Sequence, residues 1–456
     1  MTLEVNLDLV KKYNRPGPRY TSYPTAPHFN TEVGEKALTE HIRLNNLNSD
    51  RDLSLYFHLP FCDTLCWFCG CTMLVTRNKD KIANYLDYLY KEIDLIAKQI
   101  HPDRKVVQLH LGGGTPTALT PDQIRSLGIK LKQSFQFSAD AEIGSEMDPR
   151  ELTEDHISAL AEAGFNRASL GVQDFNPKVQ KAVNRINPVE MVSEVVDWIR
   201  KYKFQSLNLD LIYGLPHQTS EDFEKTIDQV LKMDPDRLAV FNYAHVPWMK
   251  PHQKLINESD LPTPEVKLAM LKMIIERLTS AGYVYIGMDH FAKENDELTI
   301  AQNEKSLQRN FQGYSTKSGT DIYAMGMSSI SQLDNIYAQN FKELPTYYEK
   351  ISAGILPIQK GYILSEDDKL RQETIMRLMC DLELDFNHMS RHLAIDFKEY
   401  FKDSLSRMDG FESDGLLTMT KDKLVITNEG RLFIRNIAME FDAYLDKSEA
   451  RFSKTV

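Results

Sequence analysis

The sequence predicts an α/β fold: a partial, three-quarter parallel β/α barrel with an N-terminal arm and a small, mostly helical C-terminal domain. Three observations predict it. Between about residues 50 and 290, short apolar runs alternate with helix-period segments, the pattern of a parallel sheet covered by helices. Six such units are too few to close an eight-stranded barrel and suit an open one. Residues able to do chemistry gather where the apolar runs end: His58 and the cysteines after it, Gly112–Thr115, Glu146, Gln173 and Asp210. Strand C-termini are where parallel α/β proteins place their sites.

Residues 1–50 are the arm and lead-in. NRPGPRYTSYPTAPHF is polar and punctuated by proline, so it cannot be a regular helix. MTLEVNLDLVKKYNRPG has no apolar core of the kind a signal peptide needs. A catalytic segment is expected over 51–364. Its first strand, Leu53–His58, carries Tyr56 and His58 two residues apart, so both point the same way. A satisfied core histidine and a functional one are both open for His58.

Four of the five cysteines then fall within ten residues: Cys62, Cys66, Cys69 and Cys71, in PFCDTLCWFCGC. Zinc ligands usually come as pairs from separated segments. A C-x3-C-x2-C loop can instead wrap one face of a cubane cluster, three thiolates reaching three irons and the fourth iron staying open. A zinc-stabilised interaction module is the alternative. Trp67 and Phe68 inside the loop are expected to shield a cluster from water and oxygen, with their backbone facing a nucleobase.

Helix-period segments are expected at Asn84–Ile100 and Pro188–Lys203, and further strands at Val107–Leu111, Ala141–Ser145, Arg167–Leu170, Ser206–Leu211 and Arg237–Phe241. LHLGGGTPT follows the second strand; its glycines let a ligand reach main-chain groups, or simply make a tight turn. EIGSEMDP sets Glu146 at a strand end, as part of a helix-cap network or as a carboxylate facing a cationic or hydroxylated cofactor group. SLGVQDF and AVNR supply Gln173 and Arg185, and LNLDLIYGLP puts Asp210 inside an apolar strand, where a charge needs an ion-pair partner or a ligand.

Residues 365–456 read as two helices, a short hairpin (GLLTMTKDKLVIT) and a closing helix, an order resembling a winged helix. Cys380 lies on an apolar helical stripe and is expected in a core. The formal charge of −11 argues against nucleic acid or an anionic membrane as partner. No run is long and apolar enough to span a bilayer. Crowded thiols in a chain without a signal peptide point to a reducing cytoplasm, and nothing suggests an extended apolar interface, so a monomer is expected.

The C-x3-C-x2-C spacing is similar to the radical S-adenosylmethionine (SAM) signature. With it, GGGTPT, EMDPRELT, GFNRASLGVQDFN, LIYGLPHQT, FNYAHVPWMKPHQ, YIGMDHFA and RNFQGYST occur in an order that resembles the oxygen-independent coproporphyrinogen III oxidases (dehydrogenases) of haem biosynthesis. The resemblance covers nearly the whole chain. It implies a barrel of radical SAM type in which Cys62, Cys66 and Cys69 hold one 4Fe–4S cluster. It implies two SAM molecules, at Tyr56, Phe68, Gly113, Gly114, Thr115, Glu146, Gln173, Arg185, Asp210, Ala244 and Ile330. Tyr56, His58 and Cys71 are the catalytic candidates; Cys71 is not a cluster ligand in the family pattern but is tied to oxidase activity. Arg15, Arg19 and Arg309 are candidates to pair with substrate carboxylates, under an arm and C-terminal domain that cover the substrate.

The implied reaction converts two propionates of coproporphyrinogen III to vinyl groups through SAM-derived 5′-deoxyadenosyl radicals, fed by a one-electron donor such as flavodoxin or ferredoxin. A haem chaperone of the same superfamily is the alternative; that branch lacks the CxC ending and the arm, both present here. Haem-degrading radical SAM methyltransferases are more distant. Ala324 and Ser329 depart from the oxidase pattern, which has glycine and alanine there, next to Ile330.

Overall fold

The computed structural model describes residues 6–47 and 51–445. They divide into two compact units, one of residues 30–270 with 319–363, the other of residues up to 29 with 271–318 and 364 onward.

The first unit is built on β1 (Leu53–Leu59), β2 (Lys105–Gly113), β3 (Gln136–Met147), β4 (Arg167–Gln173), β5 (Ser206–Tyr213) and β6 (Arg237–Asn242), paired parallel in chain order. All six expected strands are present, each longer than its expected run because the ladder continues past it. Beyond β1 the sheet gains β7 (Asp321–Met325), parallel to β1, and then antiparallel β8 (Ile330–Leu333), β9 (Ile336–Asn340) and β10 (Ile358–Ile363). These four strands are not foreshadowed by hydrophobic pattern: they are short, and Gly326 and Asn335 interrupt the stretch. Tertiary pairing makes strands where local propensity is weak.

The crossovers are α1 (Lys79–Ala97), α2 (Pro121–Ser134), α3 (Glu154–Ala163), α4 (Val189–Lys201) and α5 (Ser220–Lys232). Helix α1 starts at Lys79 rather than Asn84 because Asn78 caps it, accepting from the N–H groups of Asp80 and Lys81. Its buried stripe of Ile82, Leu86, Leu89, Ile93 and Ile96 follows helical spacing. Pro188 is the N-cap of α4 rather than its first residue.

Strand alternation sorts the side chains. On β1, Leu53, Leu55, Phe57 and Leu59 are buried on one face, and Ser54, Tyr56 and His58 occupy the other. Register carries this polar face across the sheet: Tyr56 lies beside His110, Glu146 beside Ser169, and Ser169 beside Asn208.

A buried ion pair ties β7 in place. Arg104 Nη2 lies 2.5 Å from Asp321 Oδ2 with both side chains inaccessible, and Arg104 also donates to Tyr323 OH (3.2 Å) and the Arg51 carbonyl (2.8 Å).

In the other unit, helix Glu366–Asp381 opens with a Ser365–Asp368 capping box. The hairpin Leu417–Met419/Lys423–Ile426 gains a third strand, Glu383–Asp385. The closing segment is not one helix but three short turns, Glu429–Phe433, Ile434–Ala438 and Met439–Phe441. Cys380 is fully buried with Ile286, Ala292, Leu298, Ala301 and Leu307, as its stripe implied. Tyr13 stacks on Phe411 with centroids 4.9 Å apart, and Asn436 donates to the Tyr13 carbonyl at 2.8 Å, so the arm is held by the C-terminal segment. No helix among the described residues is long and apolar enough to cross a membrane.

Removing one partner of a desolvated pair strands the other charge, so Arg104→Ala should cost about 3 kcal/mol or more. The loss should appear as a lowered thermal midpoint; an unchanged midpoint would remove the pair from the account of how β7 is held.

Candidate active site

The cysteine loop leaves β1 through a pinned neck. Phe61–Cys62 pairs parallel with Leu74–Val75, and the Leu74 N–H donates to the Pro60 carbonyl at 2.7 Å. Every sulfur of the C-x3-C-x2-C set receives a donor: Thr115 Oγ1 on Cys62 (3.4 Å), Arg150 Nη2 on Cys66 (3.2 Å) with Arg185 Nη1 at 3.5 Å, and the Cys71 N–H on Cys69 (3.4 Å). Burial pushes the Cys62 thiol up to about 11, whereas the hydrogen bond from Cys71 brings Cys69 down to about 6.

Other loops grip this one. Gln253, itself buried, donates to the Phe68 carbonyl (2.9 Å) while its Oε1 accepts from the Val246 N–H (2.6 Å). His252 Nε2 donates to the Cys69 carbonyl (2.8 Å), Lys250 Nζ to that of Cys71 (2.9 Å), and Asn184 Nδ2 to that of Leu65 (2.8 Å). Trp67 and Phe68 pack against Val179, Val183, Leu215, Tyr243 and Ile256.

Beside the loop, the polar face of β1–β5 forms a connected set. His58 Nε2 faces the Thr72 carbonyl at 2.9 Å and must donate there, which leaves Nδ1 to accept from Tyr56 OH at 3.1 Å. Burial lowers the pKa of His58 and keeps it neutral. His110 stacks on Tyr56 and contacts Glu146 Oε1 at 3.3 Å; the Gly113 N–H donates to Glu146 Oε2 at 3.2 Å. Burial opposes ionisation of Glu146, but His110 and the Gly113 N–H outweigh it and the pKa falls. Asp210 accepts from Asn208 (2.8 Å) and Ser169 (3.2 Å), yet burial raises it to about 6. Arg185 binds Asp148 Oδ2 (2.9 Å) and the Gly171 carbonyl (2.5 Å); Arg150 shares the same carboxylate at 2.6 Å. Burial works against ionisation of Asp148, and the two guanidiniums hold it at about 2 nonetheless.

Glycines leave room at two places. A Cβ on Gly113 (φ +119°) would lie 2.8 Å from the His58 ring, and one on Gly114 would lie 2.7 Å from the Pro60 carbonyl. One on Gly171 would lie 2.8 Å from Gln173 Nε2 and 2.9 Å from Arg185 Nη2.

Comparison with known proteins decides the family. The radical SAM superfamily model matches residues 56–230, and the model of the HemN C-terminal domain matches 364–433. An oxygen-independent coproporphyrinogen III oxidase from Helicobacter pylori strain J99 is 46% identical over 454 residues, covering 99% of each chain. The same-named protein of Escherichia coli K12 is 45% identical, covering 99% of this chain and 98% of its own. The solved structure of coproporphyrinogen III oxidase (HemN) from Escherichia coli, a radical SAM enzyme, has a TM-score of 0.92 at 44% identity, covering 98% of this chain and all of that one. The chain belongs to the oxygen-independent coproporphyrinogen III oxidase family.

Members of this radical SAM family are oxidoreductases that use a 4Fe–4S cluster and SAM. The residues present fit both groups. An iron–sulfur cluster is held by thiolates and tuned by hydrogen bonds to their sulfurs, and Cys62, Cys66 and Cys69 each have at least one such bond. The glycine cradle, with Glu146 on β3 and Asp210 on β5 to either side of β4, suits a ligand bearing an ammonium group and ribose hydroxyls. Of the expected SAM positions, Tyr56, Gly113, Gly114, Thr115, Glu146, Gln173, Arg185 and Asp210 all lie on or at the ends of β1–β5, except Arg185, which reaches back to β4. Phe68 and Ala244 meet through Gln253, which donates to both carbonyls, the second at 3.4 Å.

Ile330 begins β8 after a turn held from below by Glu92. This carboxyl, on α1 and 1% exposed, accepts from the Gly326 N–H, Asn340 Nδ2 and Tyr347 OH, each at 2.7 Å, and burial pushes its pKa up to about 7. Of the two departures, Ser329 uses its hydroxyl to donate to the Gly326 carbonyl (2.8 Å), and the Ala324 N–H donates to Ser331 (2.9 Å). Glu92 escaped the sequence reading, although an acid between Leu89 and Ile93 on an apolar stripe is its signal. His110, Arg150, Lys250, His252 and Gln253 also escaped it. The arginines lie in the other unit: Arg15 pairs with Glu440 (2.9 Å) at the surface, and Arg19 pairs with Asp289 beside Arg309.

Two predictions follow from this geometry. Gly171→Ala should displace Gln173 and Arg185 and weaken SAM binding about tenfold, or about 1.4 kcal/mol, in equilibrium dialysis, with little change in thermal midpoint; wild-type affinity would separate Gly171 from the SAM site. A carboxyl with a folded pKa of about 6 against an ordinary 3.8 holds its proton more tightly when folded, so its contribution to stability is lost as pH rises from about 4 to about 6. Asp210→Asn should lack this slope, gaining on the order of 1 to 2 kcal/mol on the wild type across that window; parallel stability curves would contradict the assignment.

Proposed function

We propose that the protein converts two propionate side chains of coproporphyrinogen III to vinyl groups, giving protoporphyrinogen IX. The observation that carries this is the extent of the similarity: it runs over the arm and the C-terminal segment as well as the radical SAM segment. It favours the oxidase over the haem chaperone, whose branch lacks the arm and the CxC ending.

Each conversion removes one hydrogen atom, one CO2 and one electron from a –CH2–CH2–COO− side chain and leaves –CH=CH2. No side-chain base removes a proton from the unactivated β-carbon at a useful rate. When bound, the reduced cluster and SAM supply the hydrogen-atom abstraction. The chain's own residues do the rest. Cys62, Cys66 and Cys69 hold the cluster, and Trp67 and Phe68 exclude water from it. Gly113, Gly114, Thr115, Glu146, Gln173, Arg185 and Asp210, with Tyr56, Phe68, Ala244 and Ile330, orient two SAM molecules. His58, neutral and anchored on the Thr72 carbonyl, fixes the Tyr56 hydroxyl. Cys71, at the exposed end of the loop, acts on the substrate side. Arg15, Arg19 and Arg309 are the carboxylate partners.

The reading extends to a cytoplasmic monomer with an arm (1–50), a catalytic segment (51–364) and a C-terminal domain (365–456), reduced by a flavodoxin or ferredoxin. Protein reconstituted anaerobically with iron and sulfide is incubated with dithionite, SAM and coproporphyrinogen III. Mass spectrometry should show loss of two CO2 per substrate with 5′-deoxyadenosine formed in step. SAM cleavage with intact porphyrinogen would favour the haem chaperone instead.

A further inference from the structure

Within the terminal unit, two buried arginines grip three consecutive residues of the arm, the last of which is itself an arginine. Arg309 is 3% exposed, and its Nε donates to the Arg19 carbonyl at 3.4 Å. Its guanidinium lies 4.8 Å from the centre of the Tyr314 ring, and its Nη1 is buried without a hydrogen-bond partner. Among the described residues no carboxylate pairs with Arg309. Arg435 is 4% exposed; it donates through Nε to the Pro18 carbonyl at 3.0 Å and through Nη2 to that of Gly17. The two guanidiniums therefore grip the successive carbonyls of Gly17, Pro18 and Arg19 and draw the Arg19 side chain alongside, where Asp289 meets it. Arg431 closes the group, donating to the Tyr285 carbonyl at 2.8 Å. Burial, with the charges of Arg19 and Arg309, pushes Arg435 down to about 9.

A buried guanidinium without an anion is costly, and its planar fork matches a carboxylate. We propose that the buried Arg309 and Arg435, with the part-exposed Arg19 beside them, form a carboxylate-binding site for a propionate of the tetrapyrrole, and that the propionate it takes is one the reaction leaves intact. The inference rests on the substrate reading above and adds Arg435, the arm backbone and the choice of propionate to it. Coproporphyrinogen III carries four propionates and loses two. A carboxylate held by charge-assisted hydrogen bonds is stabilised as the anion, which opposes its departure as CO2. A grip of this kind serves the two side chains that persist from substrate to product, and Tyr314 and Tyr285 beside it suit an apolar ring.

The test uses full-length, reconstituted protein and the air-stable porphyrins, with binding followed by tryptophan quenching. Arg309→Gln should weaken both coproporphyrin III and protoporphyrin IX about tenfold or more, with Arg309→Lys recovering part of the loss. The methyl esters of both porphyrins should bind wild type and variant alike. Iron content and thermal midpoint report folding, which matters most for Arg435→Gln because Arg435 also ties down the arm. Wild-type affinity of Arg309→Gln for both acids would overturn the site. A loss confined to coproporphyrin III would overturn the assignment to a retained propionate. If wild-type protein turns over coproporphyrinogen III and Arg309→Gln binds normally, only the site falls; if wild type forms no vinyl product, the proposed function falls.

Discussion

Parallel register is the constraint on which the site depends. Strands β1 to β5 run side by side in one direction, so their C-terminal ends open together, and the period-two alternation that buries Leu55 and Phe57 turns Tyr56 and His58 to the opposite face. A one-residue slip of β2 would send His110 to the apolar side and bring Leu109 or Leu111 against Tyr56. The Tyr56–His110–Glu146 contact and the placing of the glycines under His58 and Pro60 both require the observed register.

The second constraint is charge. Asp148 lies between Arg150 and Arg185, and both guanidiniums also reach the sulfur of Cys66. One carboxylate thereby satisfies two buried cations and orients them toward the cysteine loop, while Arg185 goes on to the Gly171 carbonyl. The segment containing Lys250, His252 and Gln253 grips the other side of the loop by donating to main-chain carbonyls. A ten-residue loop with no helix or long strand of its own has little stiffness; its shape is imposed from four segments distant in sequence.

Much of this was legible beforehand. The six parallel strands, the crowded cysteines and the polar residues at strand ends are local patterns, because hydrophobic alternation and ligand spacing are written along the chain. Cys380 could be placed in a core from its stripe alone. Strands β7–β10 could not be read, since their pairing rather than their propensity makes them strands. The closing segment looked like one helix and is three turns, because Gly430 lies against the Leu416 carbonyl and packing there outweighs helical spacing. Glu92 was hidden for a related reason: an acid on a helix is ordinary until Gly326, Asn340 and Tyr347 are seen to converge on it.

Composition, spacing and motif order were enough for the fold class and the family, and for singling out Cys62, Cys66 and Cys69 as the candidate cluster ligands, because each signal is carried by residues close together in the chain. Partnership was left to folding: which carbonyl a lysine grips, which carboxylate two arginines share, and which guanidinium stays buried without an anion. Those depend on contacts between residues hundreds of positions apart, as between Arg435 and Gly17. Such contacts leave no local trace, because any exposed arginine reads the same way until the chain closes around it.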